Sequence, residues 1–287
     1  MTLPDPTRID APPATLIRFF GLTFLLSWGA FLPVVLGLVP VGSATPLVVA
    51  SIFGPTVAAL ALTCRADGLG GVRRLLARLV RVRVPLRWYA AALLPVGLGL
   101  LGWWYLHLTA GAGPLGRFGG DLGTLPLPVV VALFLVSSLG SGALAEELGW
   151  RGYALPRLQA RFDALGASLL LGAVWAVWHL PVFLLTDAGT TLPFEWYLPR
   201  LLALSVLLTW VFDHTRGSVL HAVFLHAAVN GTEAFVSGTL TTPLLELRYG
   251  QAMTLLTVAA ALVVIGVWGR ELTGDSRRPA TGDAQAR

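Results

Sequence analysis

Six polar side chains stand in or beside apolar stretches from which lipid would exclude them. They are Glu146, Glu147 and Arg151 in the run Glu146-Glu147-Leu148-Gly149-Trp150-Arg151, His179 in Trp175-Ala176-Val177-Trp178-His179-Leu180-Pro181, and His226 with Asn230 in a later apolar run. Ionisable groups inside membrane helices cost several kcal/mol unless paired or wet, so each one asks for a role. On a helix Glu147 and Arg151 are four apart and face each other, so the guanidinium can neutralise and orient that carboxylate. Glu146 is turned about 100° away and is left free to act as a general acid or base. His226 and Asn230, also four apart, share a face and can reach one cavity. His221 points elsewhere and is secondary, and Glu233, near the end of the same run, reads as a pore-end or structural acid.

Each feature has a plainer reading as well. Glu147 and Arg151 make a helix-end ion pair, a lone histidine on an apolar helix is commonly a packed residue, and Asn230 can simply bond a neighbouring helix. What the plain readings leave over is a second glutamate and the convergence of three apolar runs. Hydrolysis needs such a set: a glutamate to activate water, a histidine to support it, and His and Asn donors for the oxyanion of a tetrahedral intermediate. If a metal is used, the ligands are Glu146, His179, His226 and Asn230, and zinc is the candidate cofactor. The zinc-protease motif His-Glu-x-x-His is absent and no two histidines stand at i, i+4.

The elements that must carry these residues are membrane helices. Of 287 residues 55% are hydrophobic and 12% charged, too little charge to coat one or two soluble globules. Apolar runs long enough to cross a bilayer recur along the chain. They read as about eight spans, at Thr15–Pro40, Pro46–Cys64, Trp88–Ala110, Leu127–Ala145, Gly166–Thr186, Pro199–Phe212, Gly217–Val236 and Gly250–Trp268. The fold class is therefore all-α, a polytopic integral membrane helical bundle. Its parts are an N-terminal segment 1–14, a transmembrane domain 15–268 with the chemical core at 127–236, and a disordered tail 269–287. The first apolar run is too long for a signal-peptide core and reads as a retained span.

Seven arginines between Arg65 and Arg87, opposed only by Asp67, place that loop in the cytoplasm by the positive-inside rule. Eight crossings then put both termini on the same side, with 17 of the 20 basic residues there and only Arg117, Arg200 and Arg248 opposite. The stretch from Val72 to Arg83 alternates arginines with leucines at helical spacing, as an amphipathic helix on anionic lipid would, although a solvated basic loop has the same pattern. A second such segment runs from Tyr153 to Leu165. The net charge of +5 follows this topology, so nucleic acid is not an expected partner. The single cysteine, Cys64, excludes an intramolecular disulfide and any cage of thiolates.

In order and placement these clusters resemble the CPBP intramembrane proteases (the Abi family), whose best-known members are the type II CAAX prenyl endopeptidases. The family pattern is Glu-Glu-x-x-x-Arg, then Phe-x-x-x-His, then His-x-x-x-Asn or Asp. Glu146, Glu147 and Arg151 match the first part, His179 the second, and His226 with Asn230 the third. The resemblance implies that Glu146 activates water with help from His179, that His226 and Asn230 form the oxyanion hole, and that Glu147 and Arg151 hold the arrangement. Trp175 stands where the family usually has phenylalanine, and a larger ring there narrows the cavity or tilts His179. The resemblance covers Leu127 to Asn230.

The expected function is an intramembrane endopeptidase acting on a hydrophobic or lipidated, CAAX-like peptide or protein, with membrane lipids as its surroundings. Alternatives are a catalytically silent immunity or scaffold protein of the same family and a proton-coupled transporter. Transporters usually show internal repeats, and none is visible here. All 20 basic residues are arginine, and Ala, Gly, Leu and Pro abound, which points to a GC-rich bacterial genome and so to a bacterial inner membrane.

Overall fold

The computed structural model describes residues 13–115, 142–184 and 192–273, and within them every regular element is helical. The helices are α1 (Pro13–Val35), α2 (Thr45–Ile52), α3 (Gly54–Leu76), α4 (Leu86–Ala92), α5 (Leu94–Ala110), α6 (Leu144–Gly149), α7 (Leu155–Gln159), α8 (Ala164–Trp178), α9 (Leu180–Phe183), α10 (Phe194–His214), α11 (Val219–Ser237) and α12 (Pro243–Trp268). A π-helical turn, Trp150–Ala154, joins α6 to α7.

Among the described residues, five helical stretches are long and apolar enough to cross a membrane: Pro13–Val35, Leu86–Ala110, Phe194–His214, Val219–Ser237 and Pro243–Glu271. The pair Thr45–Ile52 and Gly54–Val80, bent by 45°, makes a sixth if it is one span. Many large apolar side chains on α1, α5 and α12 remain exposed, among them Ile17, Leu25, Trp104, Leu255, Leu262 and Val263. Water would not tolerate that surface, whereas lipid would. The protein is a multi-pass helical membrane bundle. Of the eight expected spans, the one at 127–145 lies almost entirely outside the described residues, as do segment 1–12 and the tail from 274 on.

Two expected spans take a different form. The sixth, read as Pro199–Phe212, begins earlier: α10 runs 21 residues from Phe194 with Pro199 inside it. Neighbouring helices re-satisfy the carbonyl that a proline leaves unbonded, so a membrane helix can continue through it. The fifth is broken, with α8 ending at Trp178 and a four-residue helix restarting at Leu180. Pro181 is the local cause, because it has no N–H and its ring crowds the carbonyl four residues back.

Helix α10 packs on α8, α11 and α12, α3 packs on α1 and α6, and α11 packs on α5. Small residues allow the close approaches. A Cβ added to Gly149 would lie 2.5 Å from the Pro55 carbonyl, and one added to Gly172 would lie 3.1 Å from Leu202 Cα. The basic stretch is helical in part, as its periodicity suggested: it forms the end of α3, past a kink at Gly68, and a 3-10 turn at Ala77–Val80. It is tied into the bundle: Arg78 donates to the Gly152 carbonyl at 2.9 Å, Arg81 donates to the Arg216 carbonyl, and Ser218 Oγ donates back to the Arg81 carbonyl at 2.9 Å. Several arginines that the charge pattern assigned to one side are thus at one end of the bundle.

Candidate active site

The acidic part is built by α6 and the π turn after it. Glu146 and Glu147 are successive residues of one helix and leave it in different directions. Glu147 Oε1 accepts from Arg151 at 2.9 Å and lies 2.8 Å from His226 Nδ1, with both acidic and basic side chains of the ion pair fully buried. The pairing read from the i, i+4 spacing is present, and the histidine from α11 joins it. Arg151 lies within the π turn, a feature that often marks functional positions. Its other arm donates to Ser205 Oγ of α10 at 3.2 Å, and its guanidinium stands 4.9 Å from the centre of the Trp175 ring.

Glu146 is buried, 5% exposed, and is not unpartnered as its helical position suggested. Its Oε2 accepts from Trp175 Nε1 at 2.7 Å. Helical spacing reports only neighbours on the same helix, and this donor comes from α8, 29 residues along the chain. The separation of the two glutamates holds nonetheless, since they share no hydrogen-bond partner.

His179 stands at the break between α8 and α9. Its backbone N–H bonds the Ala176 carbonyl at 3.1 Å instead of the carbonyl four residues back. The Trp175 carbonyl so released accepts from the His179 side chain, Nδ1, at 2.9 Å. A carbonyl can only accept, so Nδ1 carries the proton, and in the neutral ring Nε2 is the basic nitrogen. The ring is held edge-on by Trp178 at 4.8 Å and Tyr197 at 5.4 Å between centroids. From α1, Trp28 Nε1 bonds the Trp178 carbonyl at 3.0 Å and secures the same helix end.

On α11, His226 is 4% exposed and packs edge-on against Trp175 with centroids 5.2 Å apart. Asn230 follows one turn later, half-buried on the same helix. The two remaining polar residues of that run have structural partners. His221 Nδ1 bonds Ser218 Oγ at 2.9 Å, and Glu233 forms an ion pair with Arg200 of α10. The structure therefore joins Glu146, Glu147, Arg151, His179 and His226 into one contact network, with Asn230 one turn beyond it.

Three members of the site carry no acid–base signal in sequence. Trp175 has one in retrospect, because it lies four residues before His179 and so shares its face. Ser205 is a hydroxyl in an apolar helix, a weak sign. Tyr197 offered none. Among the described residues no three His, Cys, Asp or Glu side chains are gathered so as to hold a metal ion. Glu146, His179 and His226, named with Asn230 for a metal, are not gathered into such a group.

The geometry gathers buried acids and histidines where four helices of a multi-pass membrane bundle meet. Residues 126–232 match the model of the type II CAAX prenyl endopeptidase Rce1-like family. It is also similar to CAAX prenyl protease 2 of Methanococcus maripaludis, at 30% identity over 145 residues, or 48% of this chain and 49% of the relative. The chain spans about half the length of the curated relative it matches.

Proposed function

We propose that the protein is an intramembrane endopeptidase that hydrolyses a peptide bond in a hydrophobic or lipidated, CAAX-like substrate. The observation that carries this reading is a buried carboxylate, Glu146, oriented by an indole donor beside a second glutamate whose charge is separately matched by Arg151 and His226. An acid needed only for structure would share the ion pair. Glu146 stands apart from it.

In the proposed reaction a water between Glu146 and the scissile carbonyl gives its proton to the Glu146 carboxylate as its oxygen attacks the carbonyl carbon. His179 Nε2 orients that water. The oxyanion is met by His226 with protons on both ring nitrogens, Nδ1–H donating to Glu147 and Nε2–H to the oxyanion, and by the Asn230 side-chain amide. The proton held on Glu146 then passes to the leaving amide nitrogen, the C–N bond breaks, and Glu146 is a carboxylate again. Arg151 and Glu147 keep the histidine and the helix end in place.

For the chain as a whole we propose eight crossings with both termini cytoplasmic in a bacterial inner membrane. The five long apolar helices and the bent pair, with Ala164–Trp178 continued by Leu180–Phe183 and a span over 127–145, make that number. The support is the arginine distribution together with the shared end at which Arg78, Arg81 and Arg216 are bonded.

Purified protein in detergent is expected to cleave members of a panel of apolar and prenylated peptides, read by mass spectrometry. Metal analysis of the same sample tests the route. Full activity at substoichiometric metal supports the glutamate-activated water, and stoichiometric zinc with loss of activity under a chelator overturns it.

A further inference from the structure

Trp175 touches more of the site than any other residue, yet the family pattern carries a phenylalanine there, which has no N–H. Its indole N–H bonds Glu146 Oε2 at 2.7 Å, its carbonyl bonds His179 Nδ1 at 2.9 Å, its ring lies 4.9 Å from the Arg151 guanidinium carbon, and its edge meets His226 at 5.2 Å. The other oxygen of the same carboxylate lies beside Gly142. A Cβ on Gly142 would stand 2.7 Å from Glu146 Oε1 and 3.0 Å from Ile52 Cγ2. Gly142 also has a φ of +104°, a conformation that side chains disfavour. Glu146 therefore has an indole donor on one oxygen and Gly142, without a side chain, beside the other.

We infer that Trp175 is a positioning residue for Glu146, its indole N–H taking one carboxylate oxygen while Gly142 leaves room for the other. The inference rests on the hydrolytic reading for its kinetic consequence, and on the hydrogen bond alone for its structural one. A glutamate side chain has three rotatable bonds, and a water-activating carboxylate must hold a single direction toward the scissile carbonyl. Phenylalanine at 175 would fill most of the volume but would release the carboxylate. The charged and titratable groups around Glu146 are Glu147 and Arg151 on its own helical segment, His179 after α8, Tyr197 on α10 and His226 on α11, and none of them is its hydrogen-bond partner.

Two measurements separate this inference from the protease reading. With 15N-labelled indoles, the full-length protein in detergent micelles gives one cross-peak for each of its ten tryptophans. Trp175→Phe identifies the Trp175 peak by its disappearance. That peak is expected to be downfield and slow to exchange with solvent, and Glu146→Ala is expected to move it upfield while the peaks of tryptophans away from Glu146, such as the exposed Trp104, stay. If Glu146→Ala leaves it in place, the inference is overturned, whatever the protein cleaves. In the second, 3-benzothienylalanine at position 175 keeps the ring shape and replaces N–H with sulfur. On a quenched-fluorescence prenylated peptide it is expected to lower kcat about 10- to 100-fold with KM changed less than about two-fold. An unchanged kcat overturns the inference. Should Trp175→Phe fail to fold, the sulfur isostere supplies the peak assignment as well. A coupled Trp175 peak in a protein that cleaves nothing would uphold the positioning and defeat the protease reading.

Discussion

Glu147 and Arg151 are fully buried and answer each other's charge, and their worth lies in staying together. Removing one leaves an uncompensated charge in a low-dielectric interior, which costs about 3–5 kcal/mol. Arg151→Met or Glu147→Gln is therefore expected to lower the unfolding midpoint strongly in detergent. The double variant should recover a good part of the loss, a non-additivity that two unrelated defects would not show. This pair was legible in the sequence because both members are on one helix and its period fixes their direction. The partners of Glu146 and His179 were not legible. The first depends on how α8 approaches α6, and the second on a carbonyl released when Pro181 breaks the helix. Trp175 was visible by position but was read for its bulk, while its N–H turned out to be the group in contact.

Two of the elements that carry site residues, α6 and α8, are seated by a glycine whose missing side chain lets backbones meet. Gly149 ends α6 against the start of α3, and Gly172 brings α8 to 3.1 Å from Leu202 of α10 measured from an added Cβ. Gly149→Ala is expected to separate α3 from α6 and to lower both the unfolding midpoint and catalysis. Gly172→Ala should do so to a smaller degree, because a shift of a few tenths of an ångström relieves it. Gly266→Ala, on α12 with nothing within 4 Å, is the matched control and is expected to be neutral or to stabilise by up to about 1 kcal/mol. Thermal unfolding followed by circular dichroism in one detergent reads all three. Apolar runs and proline positions showed that helices exist and roughly where. Close approach between helices has no sequence period, so the glycines at the contacts could not be told from those facing lipid, such as Gly266.

At the scale of the whole molecule, the arginine distribution carries the proposed topology, with 17 of the 20 basic residues on one side. The topology can be read directly on a Cys64→Ser background. A cysteine placed by Arg83→Cys should be shielded from an impermeant maleimide in intact cells and should react after lysis, whereas Thr242→Cys should react from outside. The reverse pattern would invert the assignment and open the site to the other face. The match of residues 126–232 to the Rce1-like family supports the proposed class of activity, and the separate partners of Glu146 and Glu147 are the reason for proposing different roles for them. The central claim is that Glu146 performs hydrolysis while Glu147 serves structure, and cleavage of a prenylated or apolar peptide by wild type and Glu146→Gln tests it most directly. The expected result is measurable cleavage by the wild type and a loss of at least about 1000-fold in Glu146→Gln, with an unfolding midpoint close to that of the wild type. Cleavage by Glu146→Gln at the wild-type rate would contradict the account.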